Sequence, residues 1–144
     1  MANVSEDDLR NLAARYQEFQ RQAEALRQEM NVIQASIANC DQTIVTINEL
    51  KAATVEGKTA ETMVPVGYGS YAHAEIKNVD KIIVNLGSGF SAEKTADEAI
   101  ETLNRRKEQL TKILEQMNAS LTKFAQGIQA LEAEATRLQQ AGLV

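Results

Sequence analysis

Two short stretches have the residue types and spacing of a phosphate-binding loop. Residues 67–72 read Gly-Tyr-Gly-Ser-Tyr-Ala and residues 87–92 read Gly-Ser-Gly-Phe-Ser-Ala, each a G-x-G-x-x-A. In the dinucleotide-binding fingerprint such glycines permit a tight turn and close backbone approach to a pyrophosphate. The anion is then held on the N-terminus of the helix that follows directly. The first copy runs instead into "SYAHAEI", a β-like stretch. The second follows the strand-like "KIIVNL", but the next helix is expected only from about Thr95, too late for its amides to reach a phosphate. No second parallel strand follows either. Gly57-Lys58-Thr59 shows only the tail of a P-loop, with no strand before it.

The remaining reactive residues are isolated. Cys40 falls at an apolar helix position and reads as a packed, inert thiol. His73 has no second His and no Cys nearby, whereas zinc needs three or four such ligands. The twenty Asp and Glu mostly avoid the apolar helix positions, as solvated faces do. An enzyme needs a concave pocket, and a two-helix rod is expected to offer none. The expectation is a protein without catalytic residues, metal or cofactor.

The elements that place these residues fall into three segments of one domain, residues 1–144. Residues 5–53 contain neither Pro nor Gly. Leu9, Leu12, Tyr16, Phe19, Ala23, Leu26, Met30, Ile33, Ile37, Cys40, Ile44 and Ile47 recur at alternating spacings of three and four, the seam of a coiled coil. Ser5 and Asp8 form a capping box at its start. Residues 95–141 repeat the pattern from Ile100 through Leu103, Leu110, Leu114, Met117, Leu121, Phe124, Ile128, Leu131 and Ala135 to Leu138, with Thr95 and Glu98 as a second box. Lys107 is the one polar residue on that seam; it specifies register or lets its stem snorkel. Each helix would span roughly 70 Å at ~1.5 Å per residue. A helix with only a narrow apolar stripe needs a partner, so the two are expected to fold back antiparallel.

Residues 54–94 differ in kind, with the single Pro, the single His and four glycines in two G-x-G turns. The runs 62–66, 70–76, 81–86 and 90–94 read as strands of two hairpins, with Gly67-Tyr68-Gly69 and Gly87-Ser88-Gly89 at the turns. Pro65 marks an edge or a bulge. The fold class is therefore mainly α with a small β part: a long antiparallel two-helix coiled coil joined by two β-hairpins. Aromatics are only 4% of the chain and Trp is absent, as suits such a design.

Net charge is −5, which disfavours nucleic acid and anionic membranes as partners. No apolar run approaches the ~20 residues that span a bilayer. "MANVSEDDLR" lacks the layout of a signal peptide, so with one cysteine a cytoplasmic location is expected.

Residues 62–103, "TMVPVGYGSYAHAEIKNVDKIIVNLGSGFSAEKTADEAIETL", resemble the α-type subunits of the prefoldin family, through "VPVGYGSY", "VDKIIVNLGSGF" and "EKTADEAIETL" in that order. The likeness extends over essentially the whole chain, and two hairpins rather than one favour the α type over the β type. The resemblance implies an archaeal ATP-independent chaperone: a hexamer of two α and four β-type subunits whose hairpins join into a β-barrel. The distal coiled-coil tips of such a hexamer hold unfolded client proteins and pass them to a group II chaperonin. Hairpin edges need covering on physical grounds too, so Val64, Val66, Tyr71, Ile76, Ile82, Val84, Leu86 and Phe90 are the expected assembly residues. Ile82, Val84 and Leu86 in particular are expected to need a partner chain to bury against. Near the termini helices fray. Leu9, Leu12, Leu138, Leu143 and Val144 are therefore the expected exposed client contacts. Gly127, placed opposite Phe19 if the helices pair end to end, either makes room for that ring or gives the helix local slack. The rival reading is a structural coiled-coil adaptor that docks one folded partner.

Overall fold

The computed structural model describes residues 6–141. Helix α1 (Glu6–Ala53) is unbroken over 48 residues, and helix α2 (Ala96–Gln140) over 45. Glu6, Asp7 and Asp8 occupy the first turn of α1, where carboxylates complement the positive helix end. The Ser5 limb of the expected capping box lies outside the described residues. Thr95 does cap α2: its hydroxyl accepts the Glu98 amide at 3.2 Å and donates to the Glu98 carboxylate at 3.0 Å. Helix α1 ends where the Thr54 hydroxyl bonds back to the Leu50 carbonyl at 2.8 Å. A short 3₁₀ turn, Val55–Gly57, follows, with Glu56 and Gly57 at positive φ.

Four strands lie between the helices: β1 (Ala60–Gly67), β2 (Ser70–Ile76), β3 (Ile82–Gly87) and β4 (Phe90–Lys94). β1 pairs antiparallel with β2, and β3 with β4, as two separate two-stranded sheets. Tyr68-Gly69 and Ser88-Gly89 form the two-residue turns, and all four residues have positive φ, the backbone of a type I′ turn. Each hairpin carries a register shift just before its turn, between Pro65 and Gly67 and between Asn85 and Gly87. The two bulges set Val66 and Leu86 outside the regular ladder. In the second the Asn85 side chain accepts the Gly87 amide at 2.8 Å. β1 begins two residues earlier than the apolar run suggests, because Ala60 pairs with Ile76.

The chain divides into two compact units, residues 36–110 and residues 1–35 with 111–144. In the first, α1 and α2 run antiparallel and meet the second hairpin. Cys40 and Ile47 of α1, Val84 of β3, and Ala96, Ala99 and Leu103 of α2 form its buried core, with Ile44, Val79, Ile82 and Ile100 packed around them. Ala99 is fully buried at 0% exposure, so a single methyl sets how closely the neighbouring elements approach. The Ala96 amide donates to the Val79 carbonyl at 3.1 Å, and the Arg106 guanidinium to the Asn85 carbonyl at 3.0 Å, tying the hairpin to α2. Ile82 and Val84 thus turn inward onto the chain's own helices, and the expectation that they need a second chain to bury against does not hold. Lys107 pairs with Asp41 across the helices at 2.7 Å, which explains a lysine on the seam. Lys51 pairs likewise with Asp97. Both pairs are substantially solvated and contribute at most about 1 kcal/mol each.

In the second unit the helices also run antiparallel. Ala23 and Leu131 are buried, and the other seam residues are half-buried. Phe19 and Phe124 pack as a tilted pair, ring centroids 6.1 Å apart at 56°, within the favoured range for aromatic pairs. A Cβ at Gly127 would lie 2.9 Å from Cε2 of Phe19. The glycine therefore makes room for the ring, the first of its two sequence readings.

Two outcomes follow from this packing. Leu103→Ala lowers the urea midpoint of the helical circular-dichroism signal, at a cost of about 2–5 kcal/mol. Gly127→Ala gains roughly 1 kcal/mol of helix propensity but overpacks the ring at a cost of about 1–3 kcal/mol, so it destabilises on balance. In a Phe19→Leu background the same change stabilises the fold, and additive effects in this double-mutant cycle would refute the assignment.

Candidate functional site

Neither G-x-G turn is built for an anion. Each lies between two strands of a hairpin rather than at a helix start. Gly57 closes the 3₁₀ turn, and Lys58 and Thr59 lead from it into β1. Cys40 is enclosed in the core of its unit. His73 lies on β2 opposite Met63. Among the described residues no group of three His, Cys, Asp or Glu could hold a metal ion. None of the helices among them is long and apolar enough to cross a membrane.

The apolar surface left open is concentrated on the hairpins. Twelve large hydrophobic residues are exposed among those described, and eight belong to the two hairpins: Met63, Val64, Val66, Tyr68, Tyr71, Ile83, Leu86 and Phe90. Strand alternation explains the pattern. In the second hairpin Ile82, Val84 and Ala92 share one face and turn inward, while Ile83 points the other way and is 73% exposed. Phe90, beside the turn, is 71% exposed, and Tyr68 at the tip of the first turn is fully exposed. In the first hairpin Ala60 is buried and Thr62, Ala74 and Ile76 are half-buried, whereas Met63, Pro65 and Tyr71 face out. Of the expected assembly residues, Val64, Val66, Tyr71, Leu86 and Phe90 are open; Ile76 and Ile82 are half-buried and Val84 is buried. Met63, Tyr68 and Ile83 were not anticipated. Parity along β3 sets Ile83 on the face opposite Ile82 and Val84, and the packing of those two against the helices leaves it outward. Among the described residues each strand has one neighbour, which leaves its other edge unpaired there.

The ends of the paired helices form a different surface. Leu9, Leu12, Ala13, Leu131 and Ala135 line a groove of about 440 Å³, edged by Tyr16, Gln17, Glu132 and Gln139. A second groove of about 420 Å³ includes Leu12 and Leu138 among Asp8, Arg15, Glu134 and Arg137. Concave sites therefore exist on this helix pair, contrary to expectation. Leu9, Leu12 and Leu138 are half-buried in the helix pairing rather than fully exposed. Leu143 and Val144 lie outside the described residues.

The groove also has an electrostatic edge. The Tyr16 hydroxyl donates to Oε1 of Glu132 at 3.1 Å, and this bond raises the phenol's pKa above its ordinary value. Two residues further along α1, Glu18 accepts from Arg21 at 2.5 and 3.0 Å and from Gln22 at 2.8 Å. These bonds lower its carboxyl to about 2. What this local cluster adds to the helix is present above the ordinary carboxylate range and is lost as pH falls toward 2.

Comparison with known proteins gives these surfaces a context. Residues 19–141 match the protein family described as Prefoldin subunit. The chain is 74% identical over 140 residues to a Methanosarcina barkeri protein named Prefoldin subunit alpha, with 97% of each chain covered. It is 45% identical over 133 residues to a protein of the same name from Methanococcoides burtonii, covering 92% of this chain and 94% of that one. Among solved structures it resembles a chain in the cryo-EM structure of filamentous PFD from Methanocaldococcus jannaschii. That likeness has a TM-score of 0.72 at 28% identity and covers 85% of this chain and 98% of the other. With the helix pairing, both hairpins and nearly the full length accounted for in these matches, the chain belongs to the prefoldin family.

Proposed function

We propose that the chain is the α-type subunit of an ATP-independent chaperone that assembles through its hairpins and holds unfolded proteins at its helix ends. Prefoldin is a chaperone family. The relatives named subunit alpha support assembly with other prefoldin subunits; in this reading the partners are β-type, in a hexamer of two α and four β chains. In this reading the hairpin strands of all subunits join edge to edge into a barrel, which satisfies the unpaired backbone groups of each edge. Held clients are released to a group II chaperonin, and the complex works in the cytoplasm.

One observation carries the proposal: the open apolar surface is segregated. Large exposed side chains cluster on the hairpins, where β edges are also unpaired, whereas the helix ends carry a shallow apolar groove with a polar rim. The first combination suits a permanent interface, whose centre is apolar and tightly packed. The second suits weak capture, since a small apolar groove holds side chains of many sequences without demanding a fixed shape. A structural adaptor would present one surface matched to one folded partner. Denatured and native forms of the same protein, mixed with the complex, separate that reading from this one.

Ile83→Lys places a charge in the proposed interface without touching the chain's own core. The helical circular-dichroism signal of the isolated chain stays unchanged, while native mass measurement with β-type subunits shows loss of the hexamer. A hexamer of undiminished yield would remove the hairpins from the assembly role. Leu9→Gln with Leu12→Gln, in the assembled complex, halves or more than halves protection of a denatured test protein from aggregation. Full protection would transfer the holding role to the other subunits' helix ends.

A further inference from the structure

We infer that the helix-end groove prefers apolar segments flanked by a basic side chain, with Glu132 as the selecting residue. The inference rests on the holding role proposed above and names the class of segment held. The floor of the groove is aliphatic: Leu9, Leu12, Ala13, Leu131 and Ala135. Such a floor takes leucine-like side chains by burial alone and discriminates little among them. Any selectivity must come from the rim. There Gln17, Thr136 and Gln139 are neutral, and among the described residues Glu132 is the single charged one lining the groove.

The geometry holds this carboxylate in place. The Tyr16 hydroxyl, from the facing helix, donates to Oε1 at 3.1 Å. That bond uses one of about four acceptor positions of a carboxylate, so a lysine or arginine has others to reach. Glu132 is solvent-exposed, which keeps a passing cation within range without burying it. The surroundings are mixed: Arg15 and Arg137 line the neighbouring groove with Asp8 and Glu134, and Arg137 pairs with Glu134 at 3.9 Å. Glu6, Asp7 and Asp8 fill the first turn of α1 next to Leu9, and the whole chain carries −5. Charge complementarity therefore favours segments in which lysine or arginine borders the apolar residues, and it disfavours acidic borders.

The probes are three fluorescein-labelled unstructured dodecapeptides, each with two leucines four residues apart, flanked by lysine, serine or glutamate. They are titrated into the full chain at low ionic strength and followed by anisotropy. The lysine-flanked peptide binds about threefold or more tightly than the glutamate-flanked one, the range of a solvated ion pair, and the ratio shrinks as salt is added. Glu132→Gln brings the ratio close to one. Glu115→Gln, an equal change of net charge at an exposed position of α2 outside the groove, leaves the ratio in place. If the peptides bind but both variants change the ratio equally, or neither does, Glu132 is not the selector and the inference falls while the holding role stands. If no peptide binds, the holding role itself fails and the inference goes with it.

Discussion

The narrowness of the apolar seam governs this molecule. Each helix has one stripe of residues at alternating spacings of three and four, and mainly polar or small side chains on the rest of its circumference. Such a helix can bury its stripe only against another of the same kind. Every seam position from Leu9 to Ile47 and from Ile100 to Leu138 is accordingly buried or half-buried. The same constraint limits what pairing achieves. A two-helix layer covers one side of each stripe and no more, and among the described residues no large side chain falls below 2% exposure. Small residues, Ala23 in one unit and Ala99 in the other, reach full burial because their side chains end where the helices approach.

The hairpins answer a second consequence of antiparallel pairing, since the chain must leave α1 and return into α2. A short loop would close that gap. The second hairpin instead adds a third layer, in which β3 lays Ile82 and Val84 over Cys40, Ile47, Ala99 and Leu103. The bonds from Arg106 to Asn85 and from Ala96 to Val79 fix the strand where the side chains need it. Burying one face of a strand leaves the other outward, so the packing that stabilises the core also presents Ile83 to solvent. The proposed assembly surface and the core are opposite sides of one strand.

The surfaces proposed for capture and for assembly thereby differ in kind. The hairpins combine aromatic and aliphatic side chains with unpaired backbone edges, a directional and demanding surface. The helix-end groove has an aliphatic floor and a polar rim, which is a weak and tolerant one. The proposed function, brief holding of many partners within one permanent complex, uses both kinds of surface.

Much of this was legible in the sequence because the signals are local. A seam is read from spacings of three and four, a cap from Thr95 and Glu98, and a hairpin from two residues that must adopt positive φ. Element limits follow within a residue or two, and Gly127 opposite Phe19 follows from equal helix lengths. What remained hidden depends on distance along the chain. Ile82, Ile83 and Val84 form a continuous apolar run, so alternation alone gives no inward face; only contact with the helices chooses one. Lys107 looks like a misfit until Asp41 arrives beside it. Glu132 is one of twenty acidic residues until Tyr16, 116 positions away, holds it at the edge of a groove. The sequence by itself determined the elements and the seam, since backbone conformation and helix periodicity are set by near neighbours. Tertiary structure alone decided which apolar side chains were spent on the core and which stayed open, because burial depends on what the rest of the chain brings alongside.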